Sequence, residues 1–145
     1  MKRNHSEAVR RINRLTNELD SLYHQASLKM GISDSVSIIM YTVYEDGTEC
    51  LLSDIYKKSG ISKQTVNSAI RSLEADGILY LEQHTGRSKK VVLTDKGVAF
   101  AHKTAARLFQ AEMEAFDNWT DEEVDTYIRL MEKYTENIRQ QVEIM

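Results

Sequence analysis

The chain has no proline, one cysteine and six glycines in 145 residues. Without proline, no helix is obliged to kink or to lose a backbone donor, which suits long helices. The lone thiol, Cys50, excludes an internal disulfide and fits a reducing compartment. No run of about 18 apolar residues occurs, so no membrane span is expected. The N-terminal Met1-Lys2-Arg3-Asn4-His5 lacks the apolar stretch of a secretory signal. A cytoplasmic protein without a membrane partner is the expectation. Catalytic signatures are also missing. There is no Ser/His/Asp set, no phosphate-cradling glycine loop and no carboxylate pair suggestive of a cleft, so no enzymatic activity is expected. His5, His24, His84 and His102 are scattered singly, and no pair at i, i+4 with a carboxylate suggests a metal. No cofactor is expected either.

What is present is enough apolar sequence, 41% of residues, for one real core, and residues 1–145 read as a single domain. The net charge of −3 argues against an indiscriminately basic nucleic-acid coat. Its distribution is uneven. Residues 47–97 hold eight Lys/Arg and six Asp/Glu, so that stretch carries +2 and the rest of the chain −5.

The positive stretch contains the most informative segment, Ile61 to Gly86. Ser62 is suited to cap a helix by accepting from its free first-turn amides, and Asp76-Gly77 is a good stop. At 100° per residue, Val66, Ala69, Ile70 and Leu73 gather on one side. Gln64, Ser68 and Arg71 fall opposite, with Thr65 and Asn67 on the flanks. An ordinary solvated face carries charges of both signs, but this one has no carboxylate before Glu74. Amides, hydroxyls and a guanidinium are the groups that grip base edges. Gln64, Asn67, Ser68 and Arg71 are therefore the expected base-facing residues. Ser62, Lys63 and Thr65, at the helix start, are expected phosphate ligands.

Upstream, Ser53 to Lys58 reads as a short helix followed by the turn Ser59-Gly60-Ile61, and helix, glycine turn, helix is the helix-turn-helix signature. Downstream, Ile78 to His84 alternates as a strand does, Thr85 to Ser88 makes a turn, and Val91-Val92-Leu93 returns. Arg87, Ser88, Lys89 and Lys90 surround the hairpin tip, as on a wing that reaches phosphates or the minor groove. Lys89 and Lys90 cannot both face DNA, because neighbours on a strand point opposite ways.

The remaining elements are helical. Ser6 to Met30 forms a long helix with Val9, Ile12, Leu15, Leu19, Leu22 and Ala26 at spacings of three and four. Ser33 caps a second helix to Glu45, and Glu49-Cys50-Leu51 reads as a third strand of the wing sheet. Thr94-Asp95-Lys96-Gly97 starts another long helix, expected to run unbroken to about Asn118. Thr120 to Glu123 is a capping box, opening a last helix with the stripe Val124, Tyr127, Ile128, Met131, Tyr134, Ile138 and Val142. The fold class is thus mainly α with a small β-hairpin wing, an α+β winged helix-turn-helix at residues 33–97. The helices at 1–32 and 98–145 have apolar stripes that so small a module cannot cover. A second copy of the chain supplies the missing surface most simply, with Val9, Ile12, Leu15, Leu19, Tyr127, Met131, Tyr134 and Ile138 as the dimerisation residues.

With these elements in place the sequence resembles the MarR family of bacterial transcriptional regulators. The resemblance follows the element order over nearly the whole chain and is strongest at 51–97. Its phrases are Leu52-Ser53-Asp54-Ile55, Gly60-Ile61-Ser62-Lys63-Gln64-Thr65-Val66, Leu73 to Leu79, and Val92-Leu93-Thr94-Asp95-Lys96-Gly97. The chain departs from the family pattern in its wing and in its helix-turn-helix. Thr85-Gly86-Arg87 keeps the wing arginine but not the aspartate two residues before it, and the wing is shorter than usual; Tyr56 stands where a small residue is common, and Ser59 where an apolar one is common. The resemblance implies a homodimer, double-stranded DNA bound by two winged helices, and often a small-molecule effector that releases it. It allows an effector cavity lined by Tyr23, Met40, Tyr41 and Tyr44, although core packing explains the same spacing. It allows Cys50 as an oxidant sensor, although a small, partly buried filler explains a thiol with no neighbouring cation. The expected function is a sequence-specific repressor or activator on a near-palindromic operator. The alternative is a winged-helix protein-interaction module without specific DNA binding.

Overall fold

The computed structural model describes residues 2–145; Met1, at the head of the polar N-terminal segment, lies outside the described residues. By its internal contacts the chain forms two units, residues 1–109 and 110–145.

The first unit is built from α1 (Ser6–Met30), α2 (Asp34–Glu45), β1 (Glu49–Leu51), α3 (Leu52–Lys58), α4 (Lys63–Ala75), β2 (Leu79–Gln83), β3 (Lys89–Leu93) and α5 (Asp95–Lys103), and it includes the start of α6 (Ala105–Glu114). Local chemistry places most of the helix starts. The Ser33 hydroxyl accepts from the Val36 amide at 3.2 Å, and Ser62 accepts from Thr65 at the same distance. Gly31 ends α1 at φ 71° in the left-handed region, where a Cβ would be strained.

The sheet is antiparallel in the order β1-β3-β2, with Cys50 opposite Val91 and Leu81 opposite Val91 on the other side. Its inner face and the apolar sides of α2 and α4 enclose a core in which Ile39, Met40, Val43, Ile55, Val66, Leu79 and Val91 are fully buried. At about 1.5–3 kcal/mol per buried aliphatic side chain, these seven hold α4 with its opposite face outward. The structure is thus mainly helical with a small three-stranded sheet, in the winged-helix arrangement expected from the sequence.

One glycine of the first unit has no room for a side chain. A Cβ on Gly97 would lie 1.9 Å from the Ile78 carbonyl oxygen. That carbonyl also accepts from the Thr94 amide at 3.0 Å, while the Thr94 hydroxyl donates to the neighbouring Gly77 carbonyl at 2.6 Å and caps α5 by accepting from Gly97 at 3.0 Å. The Leu-Thr-x-x-Gly phrase is therefore a clasp that pins the start of β2 to the start of α5.

The sequence predicts one unbroken helix from Gly97 to about Asn118, and here the structure differs. The helix breaks at Thr104, whose φ and ψ are −123° and −86°. The buried Thr104 hydroxyl donates to the Phe100 carbonyl at 2.8 Å, four residues back, and its own amide reaches only Ala101, at 3.3 Å. Such side-chain bonding to the preceding turn competes with the helical ladder and bends helices. Neither proline nor glycine marks the place, so periodicity runs straight through it.

In the second unit α6 ends at Glu114, again short of the expected Asn118, and residues 115–119 form turns closed by three-residue backbone bonds. Trp119 sits edge-on between Phe116, at 4.8 Å, and Tyr127, at 5.5 Å, tying the turn to α7 (Asp121–Glu143). The capping box is formed as expected. Glu123 donates its amide to the Thr120 hydroxyl at 3.1 Å, and Thr120 returns its amide to the Glu123 carboxylate at 3.0 Å.

Candidate nucleic-acid interface

The buried side of α4 consists of Val66, Ala69, Ile70 and Leu73, as the periodicity requires. Ser62, Lys63, Gln64, Thr65, Ser68 and Arg71 are all exposed on the rest of its surface. Ser62 is held in its capping role, with its hydroxyl also 2.9 Å from the Thr65 hydroxyl. Gln64, Thr65 and Ser68 share an open polar groove with Ser33 and Ser35 at the start of α2. Asn67 is half-buried, and its side-chain oxygen accepts from the Tyr56 hydroxyl at 2.5 Å. Lys63 places its ammonium 5.1 Å from the centre of the Tyr56 ring, within cation–π range.

The wing closes the other side of this surface. Tyr56, Asn67, Arg71, Arg87, Ser88 and Lys89 line an open groove of about 480 Å³ between α3, α4 and the hairpin. Lys90 turns away from it, as the strand alternation demands. Its ammonium lies 3.3 Å from Glu49 and 3.5 Å from Glu82, and these carboxylates raise its pKa above the usual lysine value. Lys90 is thus neutralised within the sheet, while Lys89 shares the groove with the two arginines. Among the described residues none of Lys63, Arg71, Arg87 and Lys89 has an ion-pair partner. Unpaired cations around a polar, carboxylate-free helix face are what phosphate contact and base readout both need.

Tyr56, like Leu52, Ser53, Ile70 and Leu81, lines the groove without having been among the residues predicted for the site. Its signal was visible as a bulky phenol in a place where a small residue is common. Its role was not, because Asn67 lies eleven positions away and only the packing of α3 on α4 brings the two together.

Other expected sites fall as follows. Val9, Ile12, Leu15 and Leu19 on α1 are each 44–60% exposed within the chain, and Tyr127, Met131, Tyr134 and Ile138 on α7 are 43–53% exposed. On α7, Tyr127, Ile128 and Met131 line a shallow apolar groove with Phe116. Met40 lies wholly in the core, Tyr23 is exposed, and the half-buried Tyr41 and Tyr44 set their rings 6.4 and 6.1 Å from Phe109. The Cys50 thiol is buried. That burial, with Asp46 and Asp54 nearby, pushes its pKa up to about 12, the opposite of what a reactive thiolate requires. No group of three or more potential metal ligands occurs among the described residues, and no helix there is long and apolar enough to cross a membrane.

Comparison with known proteins places this geometry in context. Residues 30–88 match the sequence profile of the MarR family. No curated protein matches the sequence. Many solved structures share the fold. One is a MarR/EmrR family transcriptional regulator from Acinetobacter sp. ADP1, 22% identical, with a TM-score of 0.74 over 95% of this chain and 99% of that one. Another is Sco3205, a MarR family transcriptional regulator from Streptomyces coelicolor solved in complex with DNA. It is 18% identical, with a TM-score of 0.71 over 94% and 91% of the two chains. A third is BpsR of Bordetella bronchiseptica, whose DNA binding is regulated by 6-hydroxynicotinic acid. It is 18% identical, with a TM-score of 0.66 over 86% and 98%.

Proposed function

We propose, from the match of residues 30–88 to the MarR family profile and from the fold that most of the chain shares with solved structures of that family, that the protein is a MarR-like, sequence-specific, DNA-binding transcriptional regulator that acts as a homodimer. The observation that carries the proposal is the outward surface of α4. It presents amides, hydroxyls and Arg71 without a carboxylate, flanked by Arg87 and Lys89, which have no ion pair among the described residues. In this reading α4 enters the major groove, Gln64, Asn67, Ser68 and Arg71 meet base edges, and Ser62, Lys63 and Thr65 meet phosphates. Arg87, Ser88 and Lys89 on the wing hold the flanking backbone or minor groove.

The exposed apolar stripes of α1 and α7 support the dimer. Residues 1–32 and 98–145 would supply its surface and the module at 33–97 the DNA contacts. Two copies related by a two-fold axis call for a near-palindrome with half-sites about 10 bp apart. The effector reading rests on less. Tyr41 and Tyr44, half-buried against Phe109, offer an aromatic wall, and two structural relatives bind or respond to small hydroxylated aromatic acids.

Selection of bound duplexes from a random pool, at stated salt, tests the proposal. A palindromic consensus retained against competitor DNA supports it. Binding that shows no sequence preference, or no binding, rejects it in favour of a protein-interaction module. Titrating aromatic acids against the selected complex then tests the effector reading.

A further inference from the structure

We propose that Tyr56 orders the Asn67 side chain for base contact before DNA arrives, so that one phenol on α3 pre-sets the reading side of α4. The inference rests on the DNA-binding reading above and concerns how that surface gains its selectivity. Lys63, Asn67 and Arg71 stand at intervals of four and so form one row along α4. Tyr56 engages the first two members of that row. Its hydroxyl donates to the Asn67 Oδ1 at 2.5 Å, and the Lys63 ammonium lies 5.1 Å from its ring centre. The ring is itself half-buried and packs against the core, so it is a fixed anchor rather than a second mobile group. The third member, Arg71, lines the open groove together with Tyr56 and Asn67.

The hydrogen bond orders the amide without using it up. An amide oxygen has two lone pairs, of which Tyr56 takes one, and the Asn67 Nδ2 donates to no acceptor among the described residues. One lone pair and both N–H groups therefore remain for a base edge, and an acceptor beside a donor is what an asparagine needs to grip adenine. A side chain that moved freely in water would lose its torsional freedom on binding. Ordering one such group weakens association by about three- to tenfold. Tyr56 meets that requirement in the free protein. It is a positioning residue in this scheme, since it acts through Asn67.

A double-mutant cycle on the duplex that the wild type selects from a random pool tests this. Tyr56→Phe keeps the ring and its contact with Lys63 and removes only the hydroxyl. It should weaken binding of that duplex about three- to tenfold and leave binding of non-specific duplex unchanged. The base preference it relaxes should be the one that Asn67→Ala relaxes. In an Asn67→Ala background the same substitution should cost less than about twofold, because the group it orders is gone. Three results overturn the inference: no loss from Tyr56→Phe, a loss as large on non-specific duplex or in the Asn67→Ala background, or an Asn67→Ala protein that binds the selected duplex as the wild type does. Should Tyr56→Phe fold poorly, nitrogen-15 relaxation of the Asn67 side-chain amide in the DNA-free wild type decides instead. That amide should be as rigid as the backbone of α4, and a freely moving one overturns the inference. Selection of no sequence by the wild type sinks the DNA-binding reading, and this inference falls with it.

Discussion

Replacing Gly97 with alanine sets two well-known effects against each other, and the structure decides between them. Helix propensity favours alanine over glycine by about 1 kcal/mol in a helix interior. The new Cβ would stand 1.9 Å from the Ile78 carbonyl oxygen, 3.0 Å from its carbon and 3.3 Å from the Leu93 Cβ. The oxygen must recede by about 1.1 Å to reach even 3.0 Å, and it is backbone rather than the end of a flexible side chain. Receding stretches the bond it accepts from the Thr94 amide. That bond is worth about 1 kcal/mol net, and leaving a carbonyl under-satisfied adds on the order of 1 kcal/mol more. Overpacking of this kind costs about 1–3 kcal/mol. The clash outweighs the propensity, and Gly97→Ala should destabilise by about 2–3 kcal/mol. In urea, at about 2 kcal/mol per molar, that lowers the midpoint by roughly 1–1.5 M. Circular dichroism at one fixed protein concentration reads it. Ala99→Gly, on the exposed side of the same helix, should lose only about 1 kcal/mol of propensity. An unchanged or raised midpoint for Gly97→Ala would refute the reasoning, and with it the clasp between β2 and α5.

Further predictions follow from the two proposed surfaces and from the titrating groups. Arg71→Ala should cost about 1–3 kcal/mol of operator binding and relax one base position, whereas Arg87→Ala should weaken all sequences alike and flatten the salt dependence. Quantitative gel shifts across a salt series separate the two, and identical behaviour of both mutants contradicts this division of labour. Met131→Glu places a charge on the apolar groove of α7, so sedimentation should show a dimer giving way to monomer; an unaltered dimer would move the interface elsewhere. Cys50 should resist alkylation at pH 8 in the folded protein and react once urea is added, because its raised pKa keeps it protonated. Rapid labelling of the native protein would contradict its burial. The Asp34 carboxyl is held below its ordinary value by hydrogen bonds from His24, at 2.8 Å, and from Ser27. A depressed carboxyl contributes stability above its unfolded pKa and loses it as pH falls through the folded value. Asp34→Asn should therefore cost stability at pH 6 and almost none at pH 2, by less than about 1 kcal/mol for so exposed a pair. An equal loss at both pH values would rule out the linkage.

What could be read from the sequence is what neighbouring residues decide among themselves. Ser33, Ser62, Thr94 and Thr120 are caps because a hydroxyl reaches amides three positions on, and the apolar spacing of α1, α2, α4 and α7 records which side each helix turns inward. The outward polar side of α4, the hairpin and the clasp phrase were legible for that reason. Three things belonged to the tertiary structure. Thr104 breaks a helix through a side-chain bond to Phe100 that periodicity cannot register. Of two adjacent lysines, only the pairing of β3 between its neighbours shows that Lys90 meets Glu49 and Glu82 while Lys89 lines the groove that Arg71 also lines. The orientation of the Asn67 amide depends on a phenol eleven residues away, delivered by the packing of α3 on α4. Short-range hydrogen bonding and period write themselves into the order of residues, whereas the partner of a side chain across two elements exists only once those elements have packed.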